Sequence, residues 1–204
     1  QGYHLSNLFS TYNTLENLNL VSLDWWNKLW SITESYRGPL TYILSSLYLF
    51  IFGKNYENSL LSNNIFSIIS ILCIFNICKE MGNERGGLWG AFIFAFNPYI
   101  FDQRVDYLID ISQVCFINLN FYILLKLFKS KGNLFLSFLL GITLGFLFLT
   151  KPTGLLFLIL PYLYTFLYSQ KVFESKKIYL LNIFILIGSF LIIIWPWLSL
   201  NWIT

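Results

Sequence analysis

Residues 133–169 read NLFLSFLLGITLGFLFLTKPTGLLFLILPYLYTFLYS, a run of roughly 35 apolar residues interrupted at Lys151-Pro152. A helical crossing of the hydrocarbon core takes about 20 residues. The run is too long for one crossing and suits a hairpin of two helices with Lys151 at the turn. Lipid offers backbone N–H and C=O groups no water, so each arm must satisfy them internally as a helix. Outward from this hairpin, further apolar stretches occupy 60–78, 87–101, 107–128 and 178–198. Counted as 133–150 and 153–169, the two arms bring the total to about six membrane-spanning helices. The breaks carry turn chemistry or charge: Gly82 to Gly87, Asn97-Pro98, Lys129 to Asn133, and Lys171 to Lys177.

Composition agrees. The 204 residues are 56% hydrophobic and only 11% charged, where a soluble domain carries about 25% charge. Mean hydropathy is +0.63. A soluble fold of this length could not hide that much apolar surface. The expected fold class is therefore all-α, a polytopic transmembrane helical bundle. The net charge of +3 is small and spread out, without the basic stripe that nucleic acid requires. Cys73, Cys78 and Cys115 all sit inside apolar runs and read as small hydrophobic filler. The single histidine, His4, has no cysteine or second histidine near it in sequence, which argues against a histidine metal site.

Two domains are expected. Residues 1–37 mix polar and aromatic residues, with Trp25, Trp26 and Trp30 close together, and read as an external loop with interfacial helices. Residues 38–204 form the transmembrane part. At its start, 39–52 (PLTYILSSLYLFIF) is apolar but short, so it reads as a re-entrant or interfacial helix. The loops 79–86, 126–132 and 170–177 hold Lys79, Arg85, Lys126, Lys129, Lys131, Lys171, Lys176 and Lys177 against Glu80, Glu84 and Glu174. The opposite side holds Lys28, Arg37, Lys54, Arg104 and Lys151 against Glu16, Asp24, Glu34, Glu57, Asp102, Asp106 and Asp110. The positive-inside rule makes the first side cytoplasmic.

Three charged clusters then share the external face: Tyr36 to Leu40 (YRGPL), Arg104 to Asp110 (RVDYLID), and Leu149 to Pro152 (LTKP). Ionisable groups at the edges of lipid-buried helices are costly and mark function by default. On a helix, Asp106, Asp110, Gln113 and Asn120 fall on one stripe running inward from the interface. The stripe reads either as interface snorkelling with helix-dipole compensation or as the polar lining of an external cavity. Arg37, before Gly38-Pro39, is either an interface anchor or a phosphate fork at the cavity mouth. Lys151 is either a turn lysine or a point charge facing a phosphate. Gly141 and Gly145 form a small-xxx-small pair suited to close helix packing, and Trp195-Pro196-Trp197 reads as an aromatic-belt anchor. Phosphate-binding GxxxxGK[ST], GxGxxG, GxSxG and HExxH motifs are absent.

The order of these features resembles the GT-C superfamily of integral-membrane glycosyltransferases, in the branch of the protein mannosyltransferases and lipid A aminoarabinose transferases. There a [Y]-[K/x]-P-P-L segment opens a short helix ending in FG; here it is YRGPLTYILSSLYLFIFG, with Arg37 and Gly38 in place of the usual Lys and Pro. A charged turn before a small-residue-rich helix is matched by NICKEMGNERGGLWGAFIFAFNPYIF. The (S)R-x(4–5)-D segment is matched by QRVDYLIDISQVCFINLNFYILLK, with Arg104, Asp110 and Tyr122. GITLGFLFLTKPTG matches G-x3-G-x-x-x-L-T-K-[GP], and Pro196-Trp197 closes the set.

The resemblance implies transfer of a sugar from a polyprenyl-phosphate donor to a lipid, glycan or protein acceptor at the external face. Arg37 and Lys151 would contact the donor phosphate, Arg104 supporting them and Asp110, the second acidic residue of the cavity. Asp106 joins from the stripe. The principal acid of such enzymes follows the first transmembrane helix. QGYHLSNL looks like the residues just after that acid, so the chain reads as a fragment whose key acid lies upstream of Gln1. Asp24 is the nearest candidate within the chain. The cofactor is left open, a divalent metal among the options. Two other classes compete: a transporter or flippase of lipid-linked sugars, against which stand charges gathered at one face and no repeat, and a structural or assembly subunit. A bias to Ile, Phe, Asn and Lys suits a bacterial inner membrane.

Overall fold

The computed structural model describes residues 2–33, 37–173 and 175–201. Glu34, Tyr36 and Glu174, which entered the charge count and the first cluster, lie outside the described residues. The described residues form a bundle of ten α-helices, and no strand occurs among them. They are α1 (Gly2–Glu16), α2 (Leu23–Trp30), α3 (Leu40–Phe52), α4 (Tyr56–Glu80), α5 (Glu84–Ala95), α6 (Pro98–Val105), α7 (Asp110–Lys129), α8 (Leu134–Thr150), α9 (Ile159–Val172) and α10 (Lys176–Asn201). A 3-10 helix, Pro152–Leu158, leads into α9.

The start signals are side chains that bond the orphan amides of the first turn. Asn55, Asn97 and Asn133 each accept from amides at the starts of α4, α6 and α8. Positive-φ glycines close other turns, Gly82 (φ 82°) after α4 and Gly132 (φ 106°) before α8.

Burial is inverted relative to a soluble protein. Ile65, Ile68 and Leu72 of α4 and Leu180, Phe184, Leu191 and Ile192 of α10 are exposed. Ser59, Ser62, Asn63, Ser67 and Ser70 of α4 face inward. Small and polar residues at the helix contacts with apolar residues outside is the pattern of a bundle in lipid. Gly141 and Gly145 let α8 lie directly on α10. A Cβ on Gly141 would collide with Ser189 and the Leu186 carbonyl, and one on Gly145 would sit 2.6 Å from Ile193 Cγ2. The small-xxx-small expectation is met there. Cys73 and Cys115 are free and buried.

Three helices are long and apolar enough to cross a membrane, among the described residues: Tyr56–Glu80, Asp110–Lys129 and Lys176–Asn201. The expected count of about six also includes shorter apolar helices, Leu134–Thr150 and Pro152–Tyr168 among them. The stretch 87–101 breaks at Asn97-Pro98, because Asn97 caps a new helix and Pro98 cannot continue the old one. α8 has 17 residues, a rise of about 25 Å against a core of about 30 Å. The run 153–169 starts as 3-10 helix, and α9 packs against α7.

The structure shows why α3 does not pass through the bundle. At its start Thr41 Oγ1 meets Ser112 Oγ, near the beginning of α7, at 2.7 Å. At its end Asn58 of α4 donates to the carbonyls of Phe52 and Gly53. Asn63, further along α4, donates to Leu108 O just before α7. Both ends of α3 therefore lie at one end of the bundle, and α3 crosses over it with α1 packed against it. The interfacial reading of 39–52 fits this geometry.

Candidate active site

Four chain segments converge at that end: the loop before α3, the start of α7, the end of α8, and α1. Gly38 lies so close to α8 that a Cβ would strike the Leu149 carbonyl and come within 2.6 Å of Leu149 Cα. The contact joins the residue after Arg37 to the residue two before Lys151. The Thr33 hydroxyl donates to the Arg37 carbonyl at 2.6 Å and fixes the loop. Lys151 leaves the helix with extended backbone (φ −159°, ψ 107°), as expected of a residue preceding proline. Its ammonium meets Asp110 Oδ1 at 2.6 Å, with 30% and 40% of the two side chains exposed. Asp110 is the first residue of α7, where a carboxylate suits the helix dipole.

The polar stripe of α7 continues inward from this pair, and each member has a partner on the segment after Lys151. Gln113 Nε2 reaches Thr153 Oγ1 at 3.5 Å. Asn120, fully buried, accepts from the Tyr162 hydroxyl at 3.0 Å. Gly154 permits the approach, since a Cβ there would lie 3.2 Å from Gln113 Nε2.

Asp106 departs from the expected stripe. The chain turns between α6 and α7, with buried Tyr107 at a positive φ of 47°. Asp106 is the exposed cap of α6, so it is not on the helix that carries Asp110, Gln113 and Asn120. Arg104, partly buried on α6, donates through Nη2 to Ala95 O at 3.2 Å and stacks on Phe101. These contacts tie α6 to the end of α5. Asp24 is exposed in the first turn of α2, a position that compensates the helix dipole. Of the predicted site residues the structure thus pairs Asp110 with Lys151 near the loop that carries Arg37, sets Asp106 at the end of α6, ties Arg104 to α5 and leaves Asp24 exposed on α2. Among the described residues no three His, Cys, Asp or Glu side chains gather as potential metal ligands.

Sequence reasoning missed His4. Tested only for metal partners, it offered no other signal, being 33 residues before Arg37 on a separate helix. In the fold its Nδ1 lies 2.7 Å from the hydroxyl of buried Tyr42, and its ring stacks on that of Tyr42. Partial burial, then the positive charge of Arg37, hold His4 below the usual histidine range; Lys151 acts in the same direction and Asp110 opposes it.

One to two turns further in, an apolar groove of about 550 Å³ opens between α3, α4, α7 and α8. Leu47 and Ile51 of α3, Ile65 and Ile69 of α4, Phe116 of α7 and Phe146 of α8 line it. The charged end and the groove thus share α3, α7 and α8 as walls.

A family model described as dolichyl-phosphate-mannose-protein mannosyltransferase matches residues 36–198, which take in Arg37, Asp110, Lys151 and the whole groove. Neither among curated proteins nor among solved structures does any match the chain significantly. On the family match, the chain belongs to the dolichyl-phosphate-mannose-protein mannosyltransferase family, within the GT-C integral-membrane glycosyltransferases.

Proposed function

We propose that the protein transfers a glycosyl group from a polyprenyl-phosphate-linked sugar to a lipid, glycan or protein acceptor, at the external face of a bacterial inner membrane. The observation that carries this reading is the Asp110–Lys151 pair beside Arg37 at the head of an apolar groove. A polyprenyl-phosphate sugar has the matching chemistry: a long apolar chain, one phosphate, and a polar sugar beyond it. Two cations at the mouth of the groove favour the phosphate electrostatically, and the guanidinium adds a planar fork of donors.

In the reaction the bond between the anomeric carbon and the phosphate oxygen breaks, and the electron pair leaves with the phosphate. Arg37 and Lys151 are placed to offset the charge that grows there, where preorganised electrostatics contribute most. Asp110 accepts a hydrogen bond from the acceptor's hydroxyl and orients it. The external orientation is supported by the grouping of basic residues at the far end of the bundle, where Lys126 and Lys129 meet Glu80.

The test is turnover of labelled polyprenyl-phosphate sugars by the full protein in liposomes, read as release of polyprenyl phosphate, with and without EDTA. Lys151→Ala and Asp110→Asn are each expected to lower the rate by about 10²–10³, the usual cost of removing one electrostatic stabiliser. Turnover equal to wild type in both variants would remove this site from the chemistry.

A further inference from the structure

We propose that the end of the bundle opposite the Asp110–Lys151 pair holds a site for a two-chain anionic phospholipid, its headgroup against Lys131, Lys176 and Lys177 and an acyl chain in a groove along α10. The site is separate from the glycosyl-transfer reading, and its test needs no turnover.

The geometry starts from buried Asn182. Its Nδ2 donates to the carbonyl of Gly132 at 3.0 Å and to that of Ile178, one turn back, at 2.8 Å. The Ser137 hydroxyl donates to its Oδ1. The turn before α8 is thereby fastened to the first turn of α10, and a Cβ on Gly132 would come within 2.8 Å of Ile178 Cγ2. Exposed lysines flank that contact on both chain segments: Lys131 precedes Gly132, and Lys176 and Lys177 precede Ile178.

Positive charge is left over here. The four ion pairs among the described residues use Lys79, Lys126, Lys129 and Lys151 and none of these three lysines. Glu174, outside the described residues, would still leave the group basic. Lys176 and Lys177 stand in the first turn of α10, which holds no acidic residue, although the helix dipole favours acidic residues there. Lys131 takes left-handed backbone, φ 55°, which is costly for an L side chain and easier for glycine. Helix and turn thus both keep lysines against their local preference. Near a lipid headgroup each such ammonium raises affinity for an anion by about fivefold.

Below the lysines the surface of α10 is hollow. A groove of about 720 Å³ begins at Lys177 and follows Leu180, Phe184, Ile187, Gly188 and Leu191. Nothing lies within 4 Å of a Cβ placed on Gly188, which leaves a notch in the helix surface. At a rise of about 1.5 Å per residue, Lys177 to Leu191 spans about 21 Å. One leaflet holds roughly 15 Å of hydrocarbon. A chain anchored by its phosphate at the lysines therefore lies in the groove from the interface to the bilayer centre. A second copy of the protein docked here about a twofold axis would set its own lysines against these, like charge against like. An anion with an apolar chain has the complementary chemistry. The Asp110–Lys151 pair is remote, because Lys131 precedes α8 and Lys151 follows it, with about 25 Å of helix between them.

In the test, the full protein in detergent micelles is titrated with dioleoyl phosphatidylglycerol and with dioleoyl phosphatidylcholine, and bound lipid is counted by native mass spectrometry. Phosphatidylglycerol is expected to bind about tenfold tighter or more, a preference that shrinks with salt. Changing Lys131→Gln, Lys176→Gln and Lys177→Gln together is expected to bring the two lipids within about twofold. Lys79→Gln with Lys126→Gln and Lys129→Gln removes the same charge from the same end and is expected to keep the preference. Gly188→Leu has room to fold and is expected to weaken phosphatidylglycerol binding by about fourfold for each methylene it displaces. Equal affinity of wild type for the two lipids overturns the proposal. An equal loss in both triple variants also overturns it, since the attraction is then diffuse. Wild-type binding of phosphatidylglycerol by folded Gly188→Leu removes the groove from the site and overturns it as well, as does displacement of the lipid by an equal concentration of inorganic phosphate.

Discussion

The two ends of the bundle both carry carboxylate–lysine pairs, and the pairs differ in what lies behind them. At one end Glu80 accepts from Lys126 at 3.0 Å and Lys129 at 3.1 Å. These groups join the ends of two long helices, α4 and α7. At the other end Lys151 and Asp110 pair where the α3 loop, α7, α8 and α1 meet. Behind them run a partnered polar stripe and an apolar groove. Charge alone therefore does not mark the site. The mark is charge continuous with a polar lining and with space.

The sharpest break of this comparison is to neutralise one carboxylate at each end. Asp110→Asn is expected to cost about 10²–10³ in turnover, measured by release of polyprenyl phosphate, while Glu80→Gln leaves it within about twofold, as surface substitutions do. Folding of Asp110→Asn should change by about 1 kcal/mol or less, since the pair is partly exposed. Equal losses at both ends would show that the pairs serve the bundle, not the reaction.

The next break uses buried amides. Asn120→Ala strands the Tyr162 hydroxyl, and Asn182→Ala strands Ser137 Oγ, which donates to Asn182 Oδ1 at 2.5 Å, and the Gly132 carbonyl. Each leaves a buried polar group unpaired at about 1–3 kcal/mol, visible as a lower unfolding midpoint in detergent. Only Asn120→Ala is expected to lower turnover as well, because its stripe begins at Asp110. Matching activity losses in folded Asn182→Ala would erase the distinction between the two amides.

Much of this end was legible in the sequence, and the exceptions have physical causes. Arg37, Asp110 and Lys151 were readable because charge in an oily chain is costly and therefore placed. That 39–52 stays at one end of the bundle was readable from its length. The all-α class followed from composition, and three of the expected crossings are helices long and apolar enough to span alone, among the described residues. Asn97-Pro98 was noted as a break, yet a cap and a proline create a new helix start, α6, where hydropathy shows one continuous stretch. The same local geometry removed Asp106 from the stripe, because periodicity cannot see a turn taken at positive φ by Tyr107. His4 was illegible for a different reason. Its partner, Tyr42, lies on another element, and only the docking of α1 onto α3 assembles the pair.

The smallest effect tests the quiet end directly. Lys126→Ala removes one of the two ammonium groups on Glu80, and Lys129 keeps its bond to the Glu80 carboxylate and to its carbonyl. The side chains of Lys126 and Lys129 are 40% and 47% exposed, so water and salt already screen them. Turnover is expected to stay within about twofold of wild type, with a slight loss of thermal stability at low salt that vanishes at high salt. The measurement is an unfolding midpoint at two ionic strengths beside the turnover assay. A salt-independent loss of activity would mean that the basic end communicates with the site through α7, the helix that carries both Lys126 and Asp110, and the two ends would then be one device.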